Sequence, residues 1–315
     1  MTAARDKVVI VTKKTALEEL IEQFNTREQA RFYLEHSGVS FADYEASHAA
    51  YQAALAHVRA ALPPGTRAQW VERAFVPTFT FGPDDLVLTV GPDGLVVNTA
   101  KYLDSGQPLF AVNPDPARID GVLLPFRADE AGPPLRDALR GGMPSRHIAM
   151  ARVTLNDGQA LHAVNDLFVG RRTHQSARYH LALGGQSEDQ SSSGIIVSSG
   201  AGSTGWLRAV LAGAAGVMAS AAPDEAPMPT PSAFPWESDF LRYSVREPFA
   251  SRVSSAGMVF GRIEAGQSLE VTSQMPQSGV IFGDGVEDDF LEFNSGRIAK
   301  VGLSDKRVNL VVEAG

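Results

Sequence analysis

The sequence contains no cysteine, which excludes disulfide bonds and thiolate metal sites. No apolar run is long enough to span a membrane, and the apolar stretch near the start is too short for a secretory signal. The seven histidines show no metal-ligand spacing, so we expect no metal site built from protein side chains. Neither a Gly-x-Ser-x-Gly elbow nor a Walker lysine loop is present, which argues against triad hydrolases and P-loop enzymes. Together these absences predict a cytoplasmic protein.

Positive charge is also in short supply, with 28 Lys and Arg against 36 Asp and Glu and a net charge of -8. This balance predicts that the protein has no nucleic-acid partner, because broad non-specific binding needs a basic surface. A small anionic ligand remains compatible, since it needs only local donors. The 315 residues are 44% hydrophobic, which is enough for two domains with sizeable cores.

The pattern of apolar residues changes along the chain and predicts two domains of different class. Helical and strand patterns alternate over residues 1–125, which predicts an α/β domain with a parallel sheet and helices. Residues 126–300 begin with a polar linker and continue with short alternating strands and one helix, which predicts a mostly-β, sandwich-like domain. Residues 301–315 carry a last strand, for which a return to the first domain is one possible arrangement.

Some local predictions concern segments between these elements. Residues 74–81 are predicted to be extended, and the polar run 184–194 is predicted to be a flexible connection. The alternating residues 160–169 are predicted to form one strand of a hairpin closed by Asn156-Asp157-Gly158. The five prolines within residues 221–239 predict a surface loop.

The stretch from residue 86 to residue 116 carries the strongest local signal. The apolar strand Leu86–Val90 is followed by a Gly91-Pro92-Asp93-Gly94 corner, a helical pattern and a second strand that ends at Asn113-Pro114-Asp115-Pro116. This order is typical of a βαβ unit. The corner then lies beside the free N–H groups of a helix N-terminus, which suits a phosphate and leaves the Asp93 carboxylate placed for chemistry. A plain reverse turn also explains Pro-Asp-Gly.

Three later segments are candidates for ligand contacts. Asn165-Asp166 offers an amide and a carboxylate for a base edge or ribose hydroxyls, although a turn or bulge explains it equally well. The Gly200–Trp206 segment follows a strand and opens a helix, with glycines for close backbone approach, two hydroxyls and an indole that can stack on a purine. Its alternative is a capped helix with a buried Trp. Gly283-Asp284-Gly285 reads locally as a hairpin turn.

Taken in order, these segments resemble the NAD kinase family. The family motifs Gly-Gly-Asp-Gly-Thr, Asn-x-Asp-Pro, Asn-Glu and Gly-Ser-Thr-Ala-Tyr correspond to GPDGL, NPDP, ND and GSTGW in this sequence. The segments at 243–253 and 292–299 are similar to the mitochondrial-type branch of the family. The resemblance covers the chain from about residue 86 onward, and the order of the motifs makes it specific. It implies the NAD kinase-like fold and phosphorylation of NAD by ATP to give NADP.

The resemblance also implies roles for individual residues. Asp93 would orient and deprotonate the adenosine ribose 2′-hydroxyl of NAD. The backbones of Gly91 and Gly94 would lie against phosphates, and Asn165 and Asp166 would hold the dinucleotide, with Asp166 in place of the usual Glu.

The glycine-rich segment and the late Asp-Gly complete the site that the resemblance implies. Ser203 and Thr204 would hydrogen-bond the ligand, and Trp206 would replace the family's Tyr beside a base. Asp284 occupies the position of the late Asp. Mg²⁺ would enter with ATP, because the charge in phosphoryl transfer must be neutralised.

Two departures from the family motif leave an alternative open. Pro92 removes a backbone N–H, and Leu95 removes a hydroxyl, from the side that would grip the donor phosphates. The alternative is a catalytically weak or inactive nucleotide-binding protein on the same fold. The phosphoryl donor, ATP or polyphosphate, and the choice between NAD and NADH also stay open. The family's habit of pairing through its β-rich half favours a homodimer.

Overall fold

The computed structural model describes residues 5–104, 106–221 and 233–313. The chain divides into two compact units, Met1–Arg146 with Asn309–Gly315, and His147–Val308. No helix in the described part of the chain is long and apolar enough to cross a membrane. The proline-rich loop predicted at residues 221–239 lies mostly outside the described residues.

The first unit alternates helices and strands, as predicted for an α/β domain. Its elements in chain order are β1 (Lys7–Thr12), α1 (Ala16–Phe24), α2 (Arg27–His36), α3 (Phe41–Ala61), β2 (Arg67–Glu72), β3 (Leu86–Val90), α4 (Asp93–Ala100), β4 (Pro108–Asn113), β5 (Phe126–Arg127) and α5 (Gly132–Leu139). The strands pair in parallel in the order β4-β3-β1-β2, and the short β5 extends the pairing along β4. Because β1, β3 and β4 are almost wholly buried, they read as continuous apolar runs.

Local sequence signals explain where the first helices begin. Thr15 accepts a hydrogen bond from the N–H of Glu18 while the Glu18 carboxylate accepts the N–H of Thr15, which completes the predicted capping box.

The hydroxyl of Tyr51 on α3 donates to Val90 O and accepts the N–H of Lys13, both at 3.0 Å. Tyr51 thereby ties the carboxyl ends of β1 and β3 together, just before the glycine corner.

Two predictions about the first unit need correction. Residues 74–81 are not a strand: Arg73–Thr78 is a 3₁₀ turn, and the preceding Arg67–Glu72 is the strand. That strand was missed because it is polar and pairs only with β1, at the edge of the sheet. Residues 126–146 were predicted to lie in the second domain, with 129–146 as a polar linker. They belong to the first unit, because Leu135 and its neighbours on α5 are buried in the first core.

The second unit is mostly antiparallel β-structure. Its elements are β6 (Ser145–Leu155), β7 (Ala160–Ala163), β8 (Asp166–Arg171), β9 (Ala177–Leu183), β10 (Gln186–Ser192), β11 (Ile195–Ser198), α6 (Trp206–Ala221), β12 (Phe240–Val245), β13 (Phe260–Glu264), β14 (Leu269–Ser273), β15 (Gly279–Gly283), β16 (Phe290–Glu292) and β17 (Ile298–Val311). The last residues of β17 belong to the first unit, where Asn309 and Leu310 pair with Pro108 and Leu109.

The strands of the second unit form two layers, which confirms the predicted fold class. One layer follows the order β10-β9-β14-β17, with β6 and β7 attached, and the other follows β13-β12-β11-β8-β15-β16. Inward-facing residues of both layers form one core, in which Tyr179, Val197 and Ile281 are fully buried. The opposite face of the second layer, here called the outer face, carries Phe168 and Ile196 and packs against α6.

Two predictions about the second unit were also wrong. The run 184–194 is not a flexible connection, because Gln186–Ser192 is a strand that pairs with β9 after a Gly184-Gly185 turn. Two of its polar side chains, Gln190 and Ser192, are buried and hydrogen-bond the Tyr179 hydroxyl on β9. The predicted strand 160–169 is two strands in different layers, interrupted at Val164-Asn165.

The aromatic pair at the centre of the first core gives a direct test of that packing. Phe110 and Phe126 stack with ring centroids 4.0 Å apart, and both are buried. We expect Phe126→Ala to lower the free energy of unfolding by about 3–5 kcal/mol, because it leaves a cavity. Phe75→Ala in the same unit is the control, since Phe75 is 63% exposed. Urea unfolding measures both, and similar losses for the two variants would contradict this description of the core.

Candidate functional site

The Gly91–Gly94 corner joins β3 to the start of α4. The N–H of Leu95 closes the turn by donating to Pro92 O at 2.8 Å, and α4 begins at Asp93. The first N–H groups of a helix have no carbonyl partner within it. Gly94 is exposed, and nothing lies within 4 Å of the position that a Cβ would occupy there. This helix start therefore has room for an anion close to the backbone.

The Asp93 carboxylate is held by the loop that follows β4. Its Oδ1 accepts the N–H of Leu123 at 2.6 Å. Asn113 folds that loop, because its amide donates to Ile119 O and its Oδ1 accepts the N–H of Asp115, both at 3.0 Å. One oxygen of Asp93 is thus fixed, while Oδ2 has no hydrogen-bond partner among the described residues.

The two departures from the family motif have different structural meanings. Leu95 is 2% exposed, and a Cβ on Gly91 would lie 2.7 Å from its Cδ2. Leu95 is therefore a packing residue that covers Gly91. Pro92 is the residue before the helix, with φ of -71° and ψ of 169°, and it offers no N–H to a ligand.

In the second unit, polar residues form a row at one end of the outer face. Asp166 opens β8 directly opposite Ser198, which closes β11. Asp284 follows β15, and its N–H donates to Asp166 O at 2.9 Å. The next row of the same face is apolar, with Phe168 between Ile196 and Phe282. The row of Asp166, Ser198 and Asp284, here called the polar row, therefore borders an aromatic surface.

The Asp284 carboxylate is used by the backbone of the neighbouring turn. Its Oδ2 accepts the N–H of Val164 at 3.0 Å, and its Oδ1 accepts the N–H groups of Asn165 at 2.7 Å and Asp166 at 3.4 Å. Asp284 has a φ of +55°, which few non-glycine residues adopt. It was predicted to contact the ligand, and in the structure it positions the turn that carries Asn165 and Asp166.

Ser199 binds the same turn from the other side. Its hydroxyl donates to Val164 O, its N–H donates to Asn165 O at 2.9 Å, and its Oγ accepts the N–H of Ala201 at 3.1 Å. A Cβ on Gly202 would lie 2.3 Å from Asn165 O, so only glycine permits this approach. The glycine-rich segment and the Asn165 turn are therefore packed backbone to backbone.

The two predicted hydroxyl ligands have different surroundings. Ser203 is buried, and its hydroxyl donates to Gly200 O at 2.6 Å and accepts the N–H of Phe234 at 3.3 Å. Thr204 is exposed, with its hydroxyl 3.4 Å from Ala201 O. Thr204 is thus the better placed of the two to reach a ligand.

Asp166 has an environment that disfavours its charge. Its Oδ1 is buried and has no hydrogen-bond partner among the described residues. Burial, reinforced by the nearby Asp284 carboxylate and opposed by the Ser198 hydroxyl, raises the pKa of Asp166 to about 7.

Trp206 covers the aromatic part of the outer face. Its ring stacks on Phe168 with centroids 5.7 Å apart, and the Arg246 guanidinium lies 5.5 Å from the Trp206 centroid. These residues line a cavity of about 370 Å³ together with Arg171 and Arg172. The cavity offers aromatic faces and guanidinium groups, which together suit an aromatic ring that carries an anion.

The predicted site residues fall into two groups. Gly91, Asp93 and Gly94 lie at one helix start in the first unit. The others lie in the second unit, in the polar row, the Asn165 turn and the glycine-rich segment. The described residues contain no group of three or more side chains suited to hold a metal ion.

Sequence reasoning missed three residues that build these sites. Phe168 was detectable, because it follows Asp166 at the two-residue period of a strand face. Asn113 lay within a quoted motif and received no role. Ser199 directly precedes the glycine-rich segment, yet nothing local distinguishes it from the neighbouring serines.

Comparisons with known proteins agree with this architecture. No family model matches the sequence. The chain is 26% identical over 224 residues to a probable NADH kinase from Oryza sativa subsp. japonica, a match that spans 64% of this chain and 63% of that protein's length.

Solved structures show the same fold. The crystal structure of yeast NADH kinase complexed with NADH matches with a TM-score of 0.61 and 14% identity, over 98% of this chain and 84% of that one. An NAD kinase from Archaeoglobus fulgidus in complex with ATP matches with a TM-score of 0.57 and 14% identity, over 97% of this chain and 93% of that one. The fold is therefore that of the NAD(H) kinases. The sequence match is to a protein of the same kind, a probable NADH kinase.

The close backbone approach at Gly202 gives a test of this site. We expect Gly202→Ala to lower the free energy of unfolding by about 1–3 kcal/mol, because the new Cβ meets the Asn165 carbonyl and the two segments must separate. Gly213→Ala on α6 is the matched control: nothing lies within 4 Å of its Cβ position, and alanine favours a helix. Unfolding in urea measures both variants. A Gly202→Ala protein as stable as the control would contradict the described packing.

Proposed function

We propose that this protein is an NAD kinase, which transfers the γ-phosphoryl group of ATP to the adenosine ribose 2′-hydroxyl of NAD to give NADP and ADP. The observation that carries this proposal is the Asp93 carboxylate, fixed through one oxygen at an open helix start with its second oxygen unpaired among the described residues. The resemblance to the NAD kinases supports the choice of reaction, and the ligands bound in the similar structures, NADH and ATP, support the substrates.

Asp93 acts as the general base. As the 2′-oxygen bonds to the γ-phosphorus, the bond from that phosphorus to the β–γ bridging oxygen breaks, and the hydroxyl proton passes to Asp93 Oδ2. The hydrogen bond from Leu123 to Oδ1 keeps the carboxylate in one orientation. A positioned base of this kind contributes about 10²–10⁴-fold in rate.

The open start of α4 binds phosphate oxygens. Its free N–H groups and the positive end of the helix dipole favour negative charge, and Gly94 lets the ligand approach the backbone. Mg²⁺ would enter with ATP and would supply positive charge against the negative charge that develops on the transferred group.

The second unit holds the dinucleotide. The turn fixed by Asp284 and Ser199 presents Asn165 and Asp166 to ribose or base atoms, and Thr204 adds an exposed hydroxyl. Trp206 offers an aromatic face beside the guanidinium groups of the cavity. These contacts supply binding and orientation, which are the main sources of rate in phosphoryl transfer.

The second candidate is a nucleotide-binding protein with weak or no kinase activity. Pro92 favours it, because the helix start has one N–H fewer than the family motif provides for the donor phosphates. Incubation with NAD or NADH and with ATP or polyphosphate, followed by measurement of the phosphorylated dinucleotide, separates the two candidates. Tight dinucleotide binding without product from any donor would establish the second candidate.

We further propose a cytoplasmic homodimer that pairs through the β-rich unit. The apolar helix α6 supports this pairing, since Val217 is 69% exposed and Met218 is 45% exposed. We expect Val217→Glu with Met218→Glu to shift the protein from dimer to monomer, because charge is costly in an apolar interface. Sedimentation velocity measures the change, and a wild-type protein that sediments as a monomer would contradict this proposal.

Asp93 gives the sharpest test of the kinase. We expect Asp93→Asn to lower kcat by about 10²–10⁴-fold, because the amide accepts no proton while its oxygen still accepts the N–H of Leu123. The affinity for NAD should change little. Asp120→Asn is the matched control, an exposed carboxylate in the same loop as Leu123. Full activity in Asp93→Asn would exclude the proposed base.

A further inference from the structure

Among the acidic residues that the structure describes, Asp166 has a buried carboxylate oxygen with no hydrogen-bond partner. Its side chain lies in the polar row at the end of the outer face, where Oδ1 is buried without a hydrogen-bond partner among the described residues. A Cβ on Gly202 would lie 2.7 Å from that oxygen, so the glycine-rich segment covers it. An ionised carboxylate in this position would have no donor at Oδ1 to stabilise its charge.

The neighbouring carboxylate is the better stabilised of the two in its ionised form. Asp284 accepts three backbone N–H groups, and donors of this kind stabilise the ionised form. Two adjacent carboxyl groups resist double ionisation. Asp166 is therefore the member of the pair that takes up a proton more readily, and burial is the main cause of its raised pKa.

The other groups around Asp166 do not reverse this assignment. Ser198 on β11 is neutral, and its hydroxyl only partly offsets the effect of burial. On the glycine-rich segment, the Ser203 hydroxyl is engaged with Gly200 and Phe234. On β7, His162 has its pKa lowered, first by burial and then by Lys306 and Arg152, so it is neutral near pH 7. No Lys, Arg or His side chain among the described residues forms a salt bridge with Asp166.

We propose that Asp166 binds the dinucleotide as a neutral carboxylic acid, donating a hydrogen bond to an acceptor oxygen or ring nitrogen of the ligand, so that affinity falls as the pH rises through neutrality. This inference rests on the proposed function and adds to it the direction of one hydrogen bond, from Asp166 to the ligand. An ionised carboxylate at this position would accept from a hydroxyl or an amino group instead. The partner of Asp166 on the ligand is thus an acceptor, and its binding is coupled to a proton.

The sign of the pH dependence follows from the raised pKa of Asp166. Below its pKa of about 7 the free site is already protonated and the affinity for NAD is at its maximum. Above that value a proton must be taken up on binding, so the dissociation constant rises by up to about tenfold for each pH unit.

The test is calorimetric measurement of NAD binding by the wild-type chain and by Asp166→Asn between about pH 6 and about pH 9. We expect the wild-type affinity to fall above about pH 7. Asp166→Asn should show a flat profile, because its amide is a neutral donor at every pH. His174→Gln should keep the wild-type slope; it controls for the imidazole that lines the cavity beside Trp206.

A second measurement does not depend on ligand. In the free protein, carbon NMR of labelled aspartate should show one carboxyl that titrates near pH 7 and is lost in Asp166→Asn. Tight NAD binding with a flat wild-type profile would overturn the inference and leave the kinase proposal intact. The wild-type slope in Asp166→Asn, or a folded Asp166→Asn that binds no NAD at any pH, would also overturn it. Absence of NAD binding by the wild-type chain at every pH would refute the proposed function and this inference together.

Discussion

The hydrogen bonds from three successive backbone N–H groups to the Asp284 carboxylate are the constraint on which the second unit's site depends. They fix the turn at Val164-Asn165, where the chain leaves one β-layer and enters the other. Backbone N–H groups at such a crossing have no strand partner, and leaving them unpaired would be costly. The Asp284 carboxylate also adds to the effect of burial, which is the main cause of the raised pKa of Asp166. A single side chain thus fixes the geometry of the turn and contributes to the pKa of its neighbour.

In the first unit too, a side chain at a strand end fixes a loop by hydrogen bonds to its backbone. Asn113 folds the loop after β4 by side-chain hydrogen bonds to the backbone, and that loop returns an N–H to Asp93. In each unit a polar side chain, Asn113 or Asp284, organises the backbone around a carboxylate that we propose contacts the ligand. Such positioning is valuable in phosphoryl transfer, where orientation and electrostatics supply most of the rate. Pro92 and Leu95 change the helix start itself. Pro92 removes an N–H donor, and Leu95 fills the space above Gly91.

Much of the fold was predictable because hydrophobic periodicity reports burial. The strands Leu86–Val90, Ala177–Leu183 and Phe240–Val245 have the predicted bounds, since their apolar residues either run continuously or alternate. The errors share a cause. Arg67–Glu72 and Gln186–Ser192 are polar strands stabilised by pairing at sheet edges, and no local apolar pattern reveals a strand that depends on its neighbour.

The sequence by itself determined the class of the two units, the order of the family motifs and the identity of the residues at the glycine corner. These are local properties, which follow from the spacing and the types of neighbouring residues. Only the tertiary structure decided which side chains serve the backbone and which remain open to a ligand. Ser203 and Thr204 are adjacent hydroxyls in one motif, yet Ser203 is buried in hydrogen bonds and Thr204 is exposed. That difference arises from contacts with Gly200 and Phe234, whose positions depend on the folded chain and not on the motif.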